Sequence, residues 1–400
     1  MTNCPTFPTI REISNQERRA RLGQSHLLAQ PGSNVVSVAS SVIGLHSSDP
    51  ATVYLSVWAR LPGFEVLDLE QALYEDRSLI RILGMRRTMF VVPVGLGPTV
   101  HCSSTISMIE AQQKRVANIL ESSGITNNGT SWLASVSKRT MNALESRGEA
   151  TAAELTKDVP ELGQKITAHK NDGTVIGTFG VSTRILFLLA LEGRIIRARP
   201  KGSWVSSLYS WTPMKRWTGQ TLDGMDRQLA QQDLLRVWLE SFGPATEVDI
   251  KWWTGWPVRQ VREALSVIGA IEVAVEAGPA YVSDSDIDRI DSSNSWVAFL
   301  PSLDPTVMGW KERHWYLGDH AARLFDRNGN AGPTVWADGK VVGGWAQRRD
   351  GEVLYRLLED VDRDVAGSID KRAHDLQTWL GGTVVTPRFR SPLDKELATS

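Results

Sequence analysis

Apolar and polar positions change their spacing along this chain, and each change marks an element. In residues 11–30, REISNQERRARLGQSHLLAQ, apolar positions recur at helical spacing in a polar frame, and Pro31-Gly32 punctuates the end. This predicts an amphipathic helix. Residues 34–45 and 50–61 read as two shorter, more apolar helices. The second opens on Pro50, whose missing N–H costs little in a first turn. Residues 66–76, VLDLEQALYED, are helical again. Then the period changes. LIRILGMRRTMFVVPV, residues 79–94, is dense in large and β-branched apolar side chains around Gly84-Met85-Arg86-Arg87. It predicts two strands in a hairpin. Helices followed by a β-hairpin is the order of a winged-helix unit.

An internal repeat extends that reading. SRGEATAAEL at 146–155 and SFGPATEVDI at 241–250 share S-x-G-x-A-T-x-x-[ED]-[LI]. Each follows a helical pattern, 131–146 in one case and 226–242 in the other. In each the Gly ends that helix and a Thr opens the next, with an acid three residues on (Thr151/Glu154, Thr246/Asp249), the arrangement of a capping box. A further helix follows, VSTRILFLLALEGR or PVRQVREALSVIGA, and then a strand, RIIRARP or IEVAVEAG. The same plan is thus used twice more, and a repeat constrains architecture.

From about residue 294 the pattern is β-rich: SWVAFLP, TVWADGKVVGGW and GEVLYRLLE, with Asp338-Gly339 a two-residue hairpin signal. A helix at 365–380 and a last strand, GTVVTPRF, follow, and the tail SPLDKELATS is expected to fray. The predicted fold class is α+β. Three tandem winged-helix motifs occupy 1–125, 126–222 and 223–292, and a β-barrel-like subdomain occupies 293–400.

Composition narrows the function. The 400 residues are 42% apolar and 22% charged, ordinary for a globular protein. No apolar run approaches the roughly 18 residues of a membrane span, and the N-terminus lacks the pattern of a secretory signal. Cys4 and Cys102 are too few for a disulfide framework or a zinc cluster, so a cytoplasmic setting without metal is expected. The net charge of −1 leaves any nucleic-acid contact to local basic faces. Two such faces stand out. Arg77, Arg81, Arg86 and Arg87 lie on or beside the first hairpin. Arg184, Arg194, Arg197, Arg199, Lys201, Lys215 and Arg216 interleave with Trp204, Tyr209, Trp211 and Trp217. Positive charge with aromatics on a wing suits backbone phosphates with stacking or groove insertion. Arg313 is a further phosphate candidate.

Four stretches now carry a resemblance: GLHSSDPATVYLSVWAR, LIRILGMRRTMFVVPV, GPATEVDIKWWTG and FLPSLDPTVMGWKER. In this order and spacing the chain resembles, over nearly its whole length, the AlkZ-like and YcaQ-like winged-helix DNA glycosylases of bacteria. The resemblance implies tandem winged helices forming a concave channel beside a C-terminal β-barrel. It implies a monofunctional DNA glycosylase hydrolysing the N-glycosidic bond of bulky alkylated or crosslinked purines, in DNA repair or genotoxin self-resistance. The expected partner is double-stranded DNA, with no cofactor, no membrane and a monomeric, nucleoid-associated protein. In that family the catalytic motif is Gln-apolar-Gln or Gln-apolar-Asp within G-L-Q-x-Q-x-P. The matching positions here are His46, Ser47 and Ser48, so both outer residues and the middle one differ.

The chemistry asked of them is modest. An alkylated base is already cationic and leaves readily, so the protein orients water and stabilises the sugar cation. A neutral His46 suits accepting a proton from water, and Ser48 suits holding that water. His46 alternatively closes a helix C-terminus. Asp49, before Pro50, is expected to be the N-cap of the next helix. Asp304, before Pro305, is either a second polar group of the site or a self-capping turn. The substituted motif leaves three readings open: a hydrolytic glycosylase, a catalytically silent winged-helix DNA binder acting as a regulator or lesion binder, or an enzyme on a different nucleobase or glycoside with the channel repurposed.

Overall fold

Ser14 accepts the Glu17 N–H at 3.2 Å and starts the first helix, Asn15–Ser25. This helix is shorter than its apolar pattern. It stops at His26 because Leu27 takes a left-handed φ of 56° and the His26 side chain is drawn into a buried polar network. The computed structural model describes residues 10–169, 172–290 and 295–399. Cys4 and the boundary expected at 292/293 lie outside them. The chain packs as two units: Met1–Glu65 with Gln232–Ser400, and Val66–Gln231. The segment 1–125 read from the sequence is therefore divided after Glu65, whereas 126–222 lies wholly within the second unit.

In the Val66–Gln231 unit, helix Val66–Glu70 continues into a wider turn, Gln71–Glu75. The expected hairpin follows, with Leu79–Leu83 antiparallel to Met89–Pro93 in the register Leu83↔Met89. Helix Ile109–Ser122 precedes the repeat, which opens with helix Gly129–Arg147, ended by Gly148 at φ 76°. The Thr151/Glu154 capping box then starts helix Ala152–Asp158. A hairpin, Lys165–His169 with Val175–Gly180, comes before the third helix, Val181–Leu191. The sequence reading did not anticipate it. The strands Ile195–Pro200 and Tyr209–Pro213 close the series. Apolar positions of all three helices share one core, including Leu144, Leu155, Ile185 and Leu189.

The second copy of the repeat has the same order without that inserted hairpin: helix Arg227–Phe242, the Thr246/Asp249 box, helices Glu247–Thr254 and Val258–Ile268, and the hairpin Ile271–Val275 with Gly278–Val282. The likeness extends to backbone geometry. In each copy the Ala just before the capping Thr forms an antiparallel bridge with the last strand, Ala150 with Trp211 and Ala245 with Tyr281. Both bridges exchange two hydrogen bonds, at 2.9 and 2.7 Å in one and 3.1 and 2.9 Å in the other. A chance pair of capping boxes would not reproduce that pairing.

The C-terminal region corrects three expectations. Its strands Val297–Leu300, Thr334–Ala337, Lys340–Gln347 and Val353–Leu357 form an open antiparallel meander, and no closed barrel occurs among the described residues. Asp338 and Gly339, at φ 48° and 82°, make the predicted two-residue turn. GTVVTPRF is not a strand, although Val385 N–H is held by the Gln347 side chain at 2.8 Å. The tail is not frayed. It is helix Pro392–Thr399, anchored by buried Leu393 and Leu397 and by Arg390 bonded to Asp394 at 2.8 Å. Its apolar spacing buries one helix face, which a polar composition concealed.

Candidate functional site

Helix Val35–Ser41 ends where Ile43 and Gly44 turn left-handed, at φ 54° and 107°, and the Gly44 N–H reaches back to Ala39 O at 2.8 Å. This reversal puts Leu45–His46 into a short extended segment and brings Ser47, Ser48 and Asp49 onto the start of helix Pro50–Trp58. Asp49 is the N-cap, as expected: Oδ1 accepts the Ala51 N–H at 3.2 Å and Oδ2 accepts the Arg388 N–H at 2.8 Å. The Arg388 guanidinium also donates to the Ser48 carbonyl at 3.1 Å. The turn is thus pinned by a residue 339 positions away. His46 is 5% exposed, Ser47 is buried, and Ser48 is half-buried. The Ser48 N–H points at His46 Nδ1 from 3.5 Å. A donor on Nδ1 favours the tautomer with the proton on Nε2.

Asp304 does not present a free carboxylate. It is completely buried. Its Oδ1 accepts from Arg60 Nη2 at 2.7 Å and the Thr306 N–H at 3.0 Å; its Oδ2 accepts from Ser56 Oγ at 2.7 Å and Arg60 Nη1 at 2.9 Å. All four acceptor positions are used. Burial alone would raise its pKa, but the bidentate Arg60 cation and the Ser56 hydroxyl hold it below the ordinary carboxylate value. Arg60 is equally committed. Beyond Asp304 it donates to the His26 carbonyl (2.9 Å), the Ser56 carbonyl (2.8 Å) and Thr306 Oγ1 (2.8 Å), which uses all five N–H donors. Thr306 passes its own proton to His26 Nδ1 at 2.8 Å, because His26 Nε2 must donate to the Ser241 carbonyl at 3.1 Å. Burial, reinforced by the Arg60 charge, pushes the His26 pKa down to about 3. Of the two readings of Asp304, the self-capping turn is present in the Thr306 N–H bond, and the same carboxylate, through Ser56 and Arg60, locks helix Pro50–Trp58 to the 301–308 turn. Nothing in the sequence signalled its partner, 244 residues away.

The basic candidates of the Val66–Gln231 unit differ in how free their charges are. Arg86 and Arg87 sit at the hairpin tip, both in left-handed backbone at φ 53° and 63°. Arg197 lies over the Tyr209 and Trp211 rings, at 5.1 and 5.3 Å. Arg194 is exposed, 3.4 Å from Glu192. Lys201 is exposed where the last hairpin turns. Arg199 is different. It is bonded to Glu70 and, at 2.9 Å, to Glu75, so its charge is already offset by two carboxylates that the sequence reading did not connect to it. In the other unit, Arg313 is half-buried between Trp252 and Phe325, at 5.1 and 4.7 Å. Among the described residues no cluster of His, Cys, Asp and Glu is placed to hold a metal ion, and no helix is long and apolar enough to cross a membrane.

The family model for AlkZ-like DNA glycosylases matches residues 39–383, and the chain is a member of that family, a family of DNA-repair enzymes. Among solved structures it is similar to the DNA glycosylase AlkZ of Streptomyces sahachiroi, with 17% identity and a TM-score of 0.71. That match covers 93% of this chain and 98% of the other. No curated protein matches.

Proposed function

We propose that this protein is a monofunctional DNA glycosylase that hydrolyses the N-glycosidic bond of bulky alkylated or crosslinked purines in double-stranded DNA. The observation that carries the reading is the Gly44–Pro50 turn. It presents His46 and Ser48, which we read as standing at the family's motif positions, between two capped helices. The cationic purine supplies its own leaving-group activation, so the chain need only orient water. Ser48, the half-buried hydroxyl, holds that water. His46, with Nδ1 facing the Ser48 N–H, orients it as a hydrogen-bond partner rather than as a strong base. The two repeats are read as winged-helix motifs, and Arg86, Arg87, Arg194, Arg197, Lys201 and Arg313 as phosphate contacts; Arg199 instead supports its strand.

A second reading, a catalytically silent DNA binder, has one observation in its favour. Asp304 has no acceptor position open and its charge is already paired with Arg60, so it is not available to stabilise a sugar cation. Release of N7-alkylguanine from alkylated duplex separates the two. The wild type should release base, and His46→Ala should slow release by roughly tenfold. Duplex binding without release, unchanged by the substitution, refutes the glycosylase.

A further inference from the structure

In the Val66–Gln231 unit, four arginines line one cavity of about 280 Å³: Arg86, Arg87, Arg115 and Arg184. Gln112, Val116, Ile119 and Phe187 complete the wall, and it contains no Asp or Glu. The arginines come from three elements. Arg86 and Arg87 are on the hairpin tip, Arg115 is on helix Ile109–Ser122, and Arg184 is in the first turn of helix Val181–Leu191. Other arginines of this unit are neutralised: Arg139 by Glu161, Arg147 by Asp158, Arg199 by Glu70 and Glu75. Arg87, Arg115 and Arg184 form no ion pair among the described residues. Arg184 is stacked over Phe179 at 4.2 Å, with Nε buried and unpartnered. Burial first, and then the Arg115 charge, lower its pKa. The tip itself is held in an unfavourable backbone. Consecutive left-handed residues are the natural place for Asn-Gly, and non-glycine residues there are strained. Guanidinium groups that line one cavity, three of them (Arg87, Arg115 and Arg184) with no ion pair among the described residues, suit an oxyanion.

We propose that Arg115 and Arg184, together with the Arg86-Arg87 tip, form a site for a single phosphate oxyanion that grips one phosphodiester of the DNA backbone. This rests on the DNA-binding part of the proposed function but not on base release. The test uses the full chain and undamaged duplex, with affinity followed by fluorescence anisotropy across a salt series. Arg115→Gln, on an exposed helix position, should weaken binding roughly tenfold. It should also flatten the slope of log affinity against log salt by about 0.9, the value for one lost phosphate. Arg184→Lys, which keeps the charge but not the fork, should weaken binding without flattening the slope. On wild-type protein, a scan of single methylphosphonates should find, among the positions that flatten the slope, one that has no further effect in Arg115→Gln. This arm stands even if a variant misfolds. Unchanged affinity and slope in a folded Arg115→Gln, or a scan with no such position, overturns the proposal. So does saturable thermal stabilisation by inorganic phosphate at constant ionic strength that Arg115→Gln abolishes, because the site would then serve a free anion. Failure of base release alone leaves these readouts intact, so the two ideas fall separately.

Discussion

Asp304→Asn separates a structural from a chemical role for this carboxylate, and its cost follows from the geometry. Asp304 accepts four hydrogen bonds, two of them from Arg60, and both side chains are fully buried. Asparagine keeps one oxygen and replaces the other with an NH₂ group that can only donate. In the less costly orientation the NH₂ lies beside Ser56, whose hydroxyl turns to accept. Arg60 Nη1, 2.9 Å from the lost oxygen, then meets a donor. At least one charge-assisted bond is lost, and the Arg60 cation is left buried without its counter-ion. Breaking a buried pair in this way costs about 3–5 kcal/mol, against a total stability of about 5–15 kcal/mol for a typical domain. Urea unfolding followed by tryptophan fluorescence is suited to this unit, whose core holds Trp238, Trp253, Trp310 and Trp336. Asp304→Asn should lower the midpoint markedly, whereas Arg60→Met combined with Asp304→Leu should recover much of the loss, because replacing both charges removes the stranded one. A loss of less than about 1 kcal/mol, below the usual cost of leaving a buried charge unpaired, would refute the clamp. A fully stable Asp304→Asn without base release would restore Asp304 to the chemistry.

Two further outcomes follow from burial and strain. Burial is the main cause that lowers the pKa of His26 to about 3 and of His101 to about 4, from an ordinary 6.5. Both are neutral in the fold, and the unfolded chain takes up protons first. Stability should therefore be complete above about pH 6.5 and fall as pH drops towards 4, by up to about 1.4 kcal/mol per pH unit for each histidine. A urea midpoint that stays flat from pH 6.5 to 4.5 contradicts this. Arg86→Asn together with Arg87→Gly relieves the left-handed tip, so the melting temperature of the folded protein should rise while duplex affinity falls. A rise in both, measured by calorimetry and anisotropy, would show that the tip arginines hold no phosphate.

Local chemistry was legible in the chain, and long-range pairing was not. The Thr151/Glu154 and Thr246/Asp249 boxes, the Asp49 cap, the 79–93 hairpin and the Asp338-Gly339 turn all depend on residues within a few positions of one another. Backbone donors and φ preferences act over that range, so sequence spacing encodes them. What only the tertiary structure decided is which charges are already spent. Asp304 reads as a free acid until Arg60 is brought against it, and Arg199 reads as a free base until Glu70 and Glu75 reach it. The pinning of the 46–49 turn by Arg388 was hidden for the same reason. So was the arrival of Arg115 and Arg184 beside the hairpin tip. A charge has the same letter whether paired or open, and its partner is chosen by packing between segments hundreds of residues apart, where spacing carries no information.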